Sequence, residues 1–440
     1  MKKSFLLLSL IRITLFVLII TYFLISFPKQ EPFLSATASD TLSTANSPEY
    51  DVKITVDNPK VLLTIDGEPM NGSKLKLSEG SHSLGISGDS IKAKNLNLHI
   101  NEDVTIPIKT DPVDSRLTHL KTLVVGSLPK GMEFAADGKH LFISLLGEPR
   151  IALLNGTSFE IIKYISHPDK PYSQAGFVEI GVSPLGDAVI ASQMTTASIH
   201  VIPLDGEDSL SITKTVPTRG NWSKVVTFSE SGRLLAVSNW TSYDISFFTY
   251  PELDFVRKVR IPGIPRGMIF ADDDSSLYVS NYSNGALHKI DLNDGKIVDT
   301  ISVKKPGALR HLVLDREKNI MYASDMEMEC INIYDLTAMK LVRQIRVDYN
   351  PNTIAFSPDM KYLFVACRGP NAKSSYLDRS PRSGKLYMID CGSWEVLDIR
   401  TLGNQPTALA IHPSGEYLAV SNFRDKNIEV YQINKCGSAK

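Results

Sequence analysis

Four cations stand at one recurring place in this 440-residue chain. Lys130, Lys224, Arg266 and Arg310 each lie four residues before an apolar marker that occurs seven times. The markers are Phe134, Val182, Phe228, Phe270, Leu314, Phe356 and Ile411; the other three copies carry Val178, Asn352 and Thr407 at the cation's place, and no copy has an acid there. Eleven residues after the marker stand Leu145, Gln193, Asn239, Asn281, Asp325, Cys367 and Asn422. The next residue is Trp240, Tyr282 or Phe423 in three copies and Arg368 in a fourth. Cations hold anions, amides fix orientation and aromatic faces stack on sugars and rings. Lys130, Lys224, Arg266, Arg310, Asn239, Asn281, Trp240, Tyr282 and Arg368 are therefore the expected ligand-binding set. The same residue types also have structural uses: cations that tie neighbouring repeats through carbonyls, asparagines that close turns, and aromatics that pack between repeats.

The longest departure from the repeat runs from Gly369 to Gly384 (GPNAKSSYLDRSPRSG) and contains Lys373, Tyr376, Arg379 and Arg382 against Asp378. Long loops on rigid scaffolds commonly carry binding, so Arg379 and Arg382 are expected to overhang the cations. A catalytic reading rests on His311, next to Arg310, with Asp325 and Glu179 as carboxylates for general-base hydrolysis of a lactone or ester. Glu133 and Glu179 with Asn239, Asn281 and Asp325 would make an oxygen ligand set for calcium, but no spacing enforces it, and no metal or cofactor is expected. The chain has no GxSxG, P-loop or dinucleotide fingerprint.

Those residues need a scaffold that repeats. Each marker has an apolar partner seven residues on, across a Gly- or Asp-containing turn, while the distance between copies varies: 48, 46, 42, 44, 42 and 55 residues. A fixed hairpin with variable outer loops, at four strand-like runs per unit, describes a β-propeller of seven blades. The seventh unit stops after its third strand, Ile428 to Gln432, and a spare strand, Leu120 to Val125, precedes the first. Pairing the spare strand with the last blade closes the ring and removes its open edges. The endings LAVSNW (235–240), LYVSNY (277–282) and LAVSNF (418–423), with turns such as SPDM and HPSG, resemble the YVTN-type β-propeller, related in fold to the bacterial lactonase propellers. The resemblance covers residues 116–433 and implies fold, not activity.

Ahead of the propeller, residues 50–112 alternate as short strands (Val52, Ile54, Val56; Val61, Leu63, Ile65; Leu75, Leu77) around the turn Asp66-Gly67. The run VLLTIDGEPMNGSKLKLSEGSHSLGI resembles the PEGA domain, a small β-sandwich, and implies a spacer or contact module. Residues 28–49, rich in Ser, Thr, Ala and Pro, read as a flexible stalk. Residues 1–4 and the apolar run 5–27 read as a cytoplasmic end and a transmembrane signal-anchor; a cleaved signal peptide ending at Ala36-Thr37-Ala38 is the alternative. Residues 434–440 form a tail. The expected architecture is thus all-β: a seven-bladed β-propeller preceded by a small β-sandwich domain and an N-terminal transmembrane helix. It would be held as a single-pass protein of a bacterial cell membrane with its bulk periplasmic or extracellular.

A net charge of −1 argues against a general nucleic-acid binder, and four cysteines without a CxxC give neither a disulfide framework nor a zinc ribbon. The expected function is an envelope binding or scaffold protein whose top face takes an anionic envelope component or a partner protein. A lactonase-like hydrolase at the channel mouth is the alternative, and an array-forming surface role a third.

Overall fold

Every marker pairs across its hairpin with its partner. Phe134 faces Leu141, Val182 Val189, Phe228 Leu235, Phe270 Leu277, Leu314 Met321, Phe356 Leu363 and Ile411 Leu418. The turn between them holds a residue in the left-handed region in each blade, for example Gly138 at φ 73° and Gly415 at φ 71°. Glycine reaches that region without steric cost, which is why the turn is marked by it. The computed structural model describes residues 48–434 apart from 57–60, 89–92, 109, 112–114, 205–209, 272–273 and 304–306.

Seven four-stranded antiparallel sheets form the blades, each running from an innermost to an outermost strand. The innermost strands are Pro129–Phe134, Phe177–Val182, Ser223–Phe228, Pro265–Ala271, Leu309–Asp315, Pro351–Phe356 and Pro406–Ile411. The ring closes as the repeat count requires. Leu117–Val124 is the outermost strand of the seventh blade, antiparallel to Asn427–Ile433, with Asn427 opposite Val124 and Ile433 opposite Leu117. It begins three residues earlier than the alternation suggests, because Leu117 is fully buried among Phe364, Leu386 and Leu402. Apolar clusters fill the space between adjacent blades; one joins Leu123, Val125 and Ile428 to Met132, Ile143 and Ala152, so the closing strand is bound into the core on both sides of the seam.

The N-terminal module is a sandwich of two sheets. Glu49–Val56 lies between Lys74–Ser78 (antiparallel) and Val104–Ile108 (parallel), and the second sheet runs Glu68–Pro69, Leu62–Ile65, Gly80–Ser87, Lys94–Ile100. Val52, Ile54, Leu84, Leu96, Leu98 and Ile106 fill its core, as period-two alternation dictates. Val124 of the closing strand joins this core, and Lys426 pairs with Glu102 at 2.6 Å, so the sandwich sits on the seam of the ring.

The chain divides into two units, Met1–Asn46 and Ser47–Lys440, and the first lies outside the described residues. The expectation of a single-pass membrane protein is corrected here. Among the described residues no helix is long and apolar enough to cross a membrane, and the run 5–27 lies outside them.

Candidate functional site

The innermost strand of every blade carries the same irregularity. Its register against the second strand slips between its first and fourth residues, as between Pro265 opposite Asn281 and Met268 opposite Val279. Such a bulge re-aims the two intervening side chains. Those two residues are the cation position and the one after it: Lys130-Gly131, Val178-Glu179, Lys224-Val225, Arg266-Gly267 and Arg310-His311 among them. A serine near the end of the second strand fills the gap. Ser144 Oγ accepts from Gly131 N at 2.7 Å and donates to Val178 O of the next blade at 2.8 Å; Ser192 and Ser324 bond across to Lys224 O and Asn352 O, both at 2.6 Å. The sixth blade has Ala366 at the serine's place, and Thr353 supplies the link instead, donating to Thr407 O at 2.7 Å. Small residues at the strand end are therefore the struts that set the cations in place.

The bulges bring four cations together, and Arg368, just past the second strand of the sixth blade, joins them. Lys130, Lys224, Arg266, Arg310 and Arg368 are each at most 9% exposed. Glu179 reaches from the second blade to Arg310 Nη2 at 2.9 Å and Arg266 Nη2 at 3.2 Å, in the fifth and fourth. Burial alone would raise its carboxyl, but Arg310, Arg266 and Lys130 outweigh that and hold it at about 2. Burial pushes Lys130 and Lys224 well below the usual lysine range, and the neighbouring arginines push in the same direction. Burial, then Arg310, lowers Arg266 to about 9 against the opposing pull of Glu179, so it stays charged at neutral pH. Glu133 is open to water yet walled by protein, which places it in the lumen; that enclosure, with Glu179 nearby, pushes its carboxyl upward. The cluster is thus rich in positive charge, with Glu179 as its ionised counter-charge.

Aromatic faces carry the remaining charge. Lys224 Nζ lies 4.5 Å and the Arg266 guanidinium 5.1 Å from the Trp240 ring, and Trp240 stacks on Tyr282 at 5.6 Å. Arg368 lies 5.6 Å and Lys130 Nζ 5.9 Å from the ring of Phe423, and Arg368 is 5.8 Å from Tyr376 of the insertion. Phe423 is thus a member of the site that residue type alone did not select; its signal was its repeat position, shared with Trp240 and Tyr282. Several donors here have no partner: Arg266 Nε and Nη1, Arg368 Nε and Trp240 Nε1.

Other expected site residues lie elsewhere or serve the frame. Asn239 is fully buried and bonds Asp244 and Ser246 within its own blade at 2.8 and 2.9 Å, and Asn281 donates to Pro262 O at 3.0 Å. Asp325 accepts from Ala308 N at 2.9 Å and Asn332 Nδ2 at 3.2 Å, so its carboxylate is turned to its own loop and not to His311. His311 is pushed down to about 4, by burial first and Arg310 next. The loop cations are paired outward from the cluster: Arg382 grips Asp348 with two bonds of 2.5 and 2.8 Å, and Arg379 meets Asp425 at 2.5 Å. They pin the insertion to the neighbouring blades instead of overhanging the mouth as bare charge. Among the described residues no group of three or more His, Cys, Asp or Glu side chains is placed to hold a metal ion, so Asp325, Glu133 and Glu179 form no such set, and the amides of Asn239 and Asn281 are engaged with Asp244, Ser246 and Pro262 O.

A family model described as lactonase, 7-bladed beta-propeller, matches residues 109–254. Antigen Lp49 of Leptospira interrogans serogroup Icterohaemorrhagiae serovar copenhageni is 35% identical over 326 residues, covering 72% of this chain and 70% of that protein. The chain belongs to one family with antigen Lp49, and its seven-bladed β-propeller is the fold that the lactonase model describes. A 6-phosphogluconolactonase of Formosa agariphila is 27% identical over 240 residues, 47% of this chain and 65% of that protein. A hydrazine synthase chain of Kuenenia stuttgartiensis superposes with a TM-score of 0.59 at 15% identity, covering 70% of this chain and 96% of that one, a likeness of fold alone. The family match begins at residue 109, so it leaves the PEGA-like reading of the sandwich without support.

Proposed function

We propose that this propeller is a binding protein whose channel mouth captures an oxyanionic ligand, free or displayed by a partner protein. The observation that carries the reading is the set of buried donors with nothing to bond: Arg266 Nε and Nη1, Arg368 Nε and Trp240 Nε1, in a cluster where Glu179 is held ionised between two arginines. A buried donor without an acceptor costs about 1–3 kcal/mol, and close like charges repel, so an incoming anion relieves both. A charge-assisted contact adds roughly 1.5–3 kcal/mol.

A hydrolase is the second reading, favoured by the family match and by His311 beside the cations. It is weaker on this geometry. A histidine pushed down to about 4 is a poor base at neutral pH, and Asp325 is turned away from it. The deciding experiment is calorimetric titration of the full chain with inorganic phosphate, alongside an assay of δ-gluconolactone hydrolysis. Binding that weakens at least tenfold when Arg266→Gln is combined with Arg368→Gln, without lactone turnover, is the expected result. Turnover lost in His311→Ala would transfer the site to the second reading, and absence of phosphate binding would remove the first.

A further inference from the structure

The cations do not spread evenly round the mouth. Lys224 belongs to the third blade and Arg266 to the fourth, and both lie against Trp240 of the third. Lys130 belongs to the first blade and Arg368 follows the second strand of the sixth; both lie against Phe423, which follows the second strand of the seventh. In a closed ring of seven, the midpoint of the first group falls between blades three and four and that of the second at blade seven. Those points are half a circumference apart. Arg310 of blade five lies between them, and its charge is met by Glu179. Each flank keeps an unpartnered guanidinium donor that is at least nine-tenths buried: Nε and Nη1 of Arg266, 3% exposed, on one side and Nε of Arg368, 5% exposed, on the other. Each flank therefore repeats one design: a lysine and an arginine beside the same aromatic ring, with the arginine Nε–H left open while its Nη2 is bonded, to Glu179 in Arg266 and to Gln405 Oε1 and Tyr376 O in Arg368.

We propose that the mouth holds two separate oxyanion subsites on opposite sides of the ring, one at Lys224, Arg266 and Trp240 and one at Lys130, Arg368 and Phe423. Its ligand is accordingly a molecule with two oxyanionic groups that spans them. This rests on the anion-binding reading and adds stoichiometry and ligand class to it. Glu179 is the device that separates the subsites: by neutralising Arg310 and one edge of Arg266, it prevents a single central anion from drawing all five cations inward. Joining two anions in one molecule makes the second contact intramolecular, and the gain depends on spacer length.

The test uses the full chain and two kinds of probe, methylphosphonate and a series of alkane α,ω-diphosphonates. Methylphosphonate should bind with two equivalents per chain. One diphosphonate should bind with one equivalent and on the order of 100-fold more tightly, with a clear optimum in spacer length. Lys224→Met and Lys130→Met should each reduce methylphosphonate to one equivalent and abolish the diphosphonate advantage. A single methylphosphonate equivalent, or no spacer with a chelate gain, overturns the two-subsite proposal while leaving anion binding in place. Binding of neither probe overturns anion binding itself. The stoichiometry is read on the unmodified protein, so the outcome does not depend on the variants folding.

Discussion

Two sets of equivalent residues recur round this propeller, and they have opposite hydrogen-bond states. The polar residues eleven positions past the marker have all their amide donors bonded, although Asn422 Oδ1 keeps no partner. Asn239 is bonded to Ser223, Asp244 and Ser246, and Gln193 Nε2 donates to Tyr172 O and Ala175 O. Each of Asn239, Asn281, Asp325 and Asn422 also packs so tightly on a glycine of the loop entering its blade (Gly220, Gly263, Gly307, Gly403) that a Cβ there would lie within 2.6 Å of the side chain. The cations four positions before the marker are just as buried, yet donors of Arg266 are left unpartnered. Residue type and burial do not separate the two sets. Donor saturation does: a buried polar group whose N–H donors are all bonded is part of the frame, and one with donors open is poised to meet an acceptor.

The largest expected effect comes from Glu179, which belongs to neither set but holds the cations. Glu179→Gln should lower stability by about 3–5 kcal/mol, since removing one partner leaves buried charge uncompensated, and phosphate should restore part of the loss in a thermal melt. Its folded-state value of about 2 lies below the unfolded one near 4.3, so its contribution is present above that value and lost as pH falls through about 2. The unmodified chain should lose roughly 3 kcal/mol over that window and the Gln variant far less in denaturant titrations; parallel curves would show that the carboxylate carries no such burden.

Asn239→Ala should cost about 2–3 kcal/mol by denaturant unfolding, because Ser223, Asp244 and Ser246 lose a buried partner, with phosphate affinity unchanged. A large loss of affinity with stability intact would move that position into the ligand site. Lys224→Met should do the reverse, lying between neutral and about 1 kcal/mol more stable at pH 7 while weakening phosphate binding. The sign follows from its depressed value: the folded chain resists a proton that the unfolded chain holds until near pH 10.4, so stability rises with pH and the variant should flatten that rise. A drop in stability comparable to Asn239→Ala would erase the distinction between the sets. The smallest effect is expected for Arg382→Ala. Its partly exposed pair with Asp348 should contribute under about 1 kcal/mol, and amide exchange in 369–384 should speed up with little change in melting temperature.

Much of the fold was legible because a propeller repeats. A fixed gap of seven residues can pair only one way in a hairpin, and Phe134 with Leu141 through Ile411 with Leu418 follow from it. A missing strand at one end and a spare at the other can close only one ring; what the alternation missed, the start at Leu117, depended on burial beneath the neighbouring blade. The site was legible as a list of positions but not as roles. Asn239 and Arg266 are both polar and both recur, and nothing local in sequence shows that one is saturated by its own blade while the other meets a glutamate two blades away.

The chain alone determined the blade count, the strand pairing and the circle on which the cations stand, because these depend on local periodicity and on the need to leave no sheet edge open. Tertiary structure alone decided which charges face one another. The reach of Glu179 across the lumen, the turning of Asp325 into its loop, the pinning of Arg379 and Arg382 on Asp425 and Asp348, and the cations drawn to Trp240 and Phe423 are contacts between residues 17 to 293 positions apart. The longest of them, from Glu179 to Arg266 and Arg310 and from Lys130 to Phe423, exist only once the ring has closed, since ring geometry brings those blades within the few ångströms over which charge, hydrogen bonding and aromatic faces act.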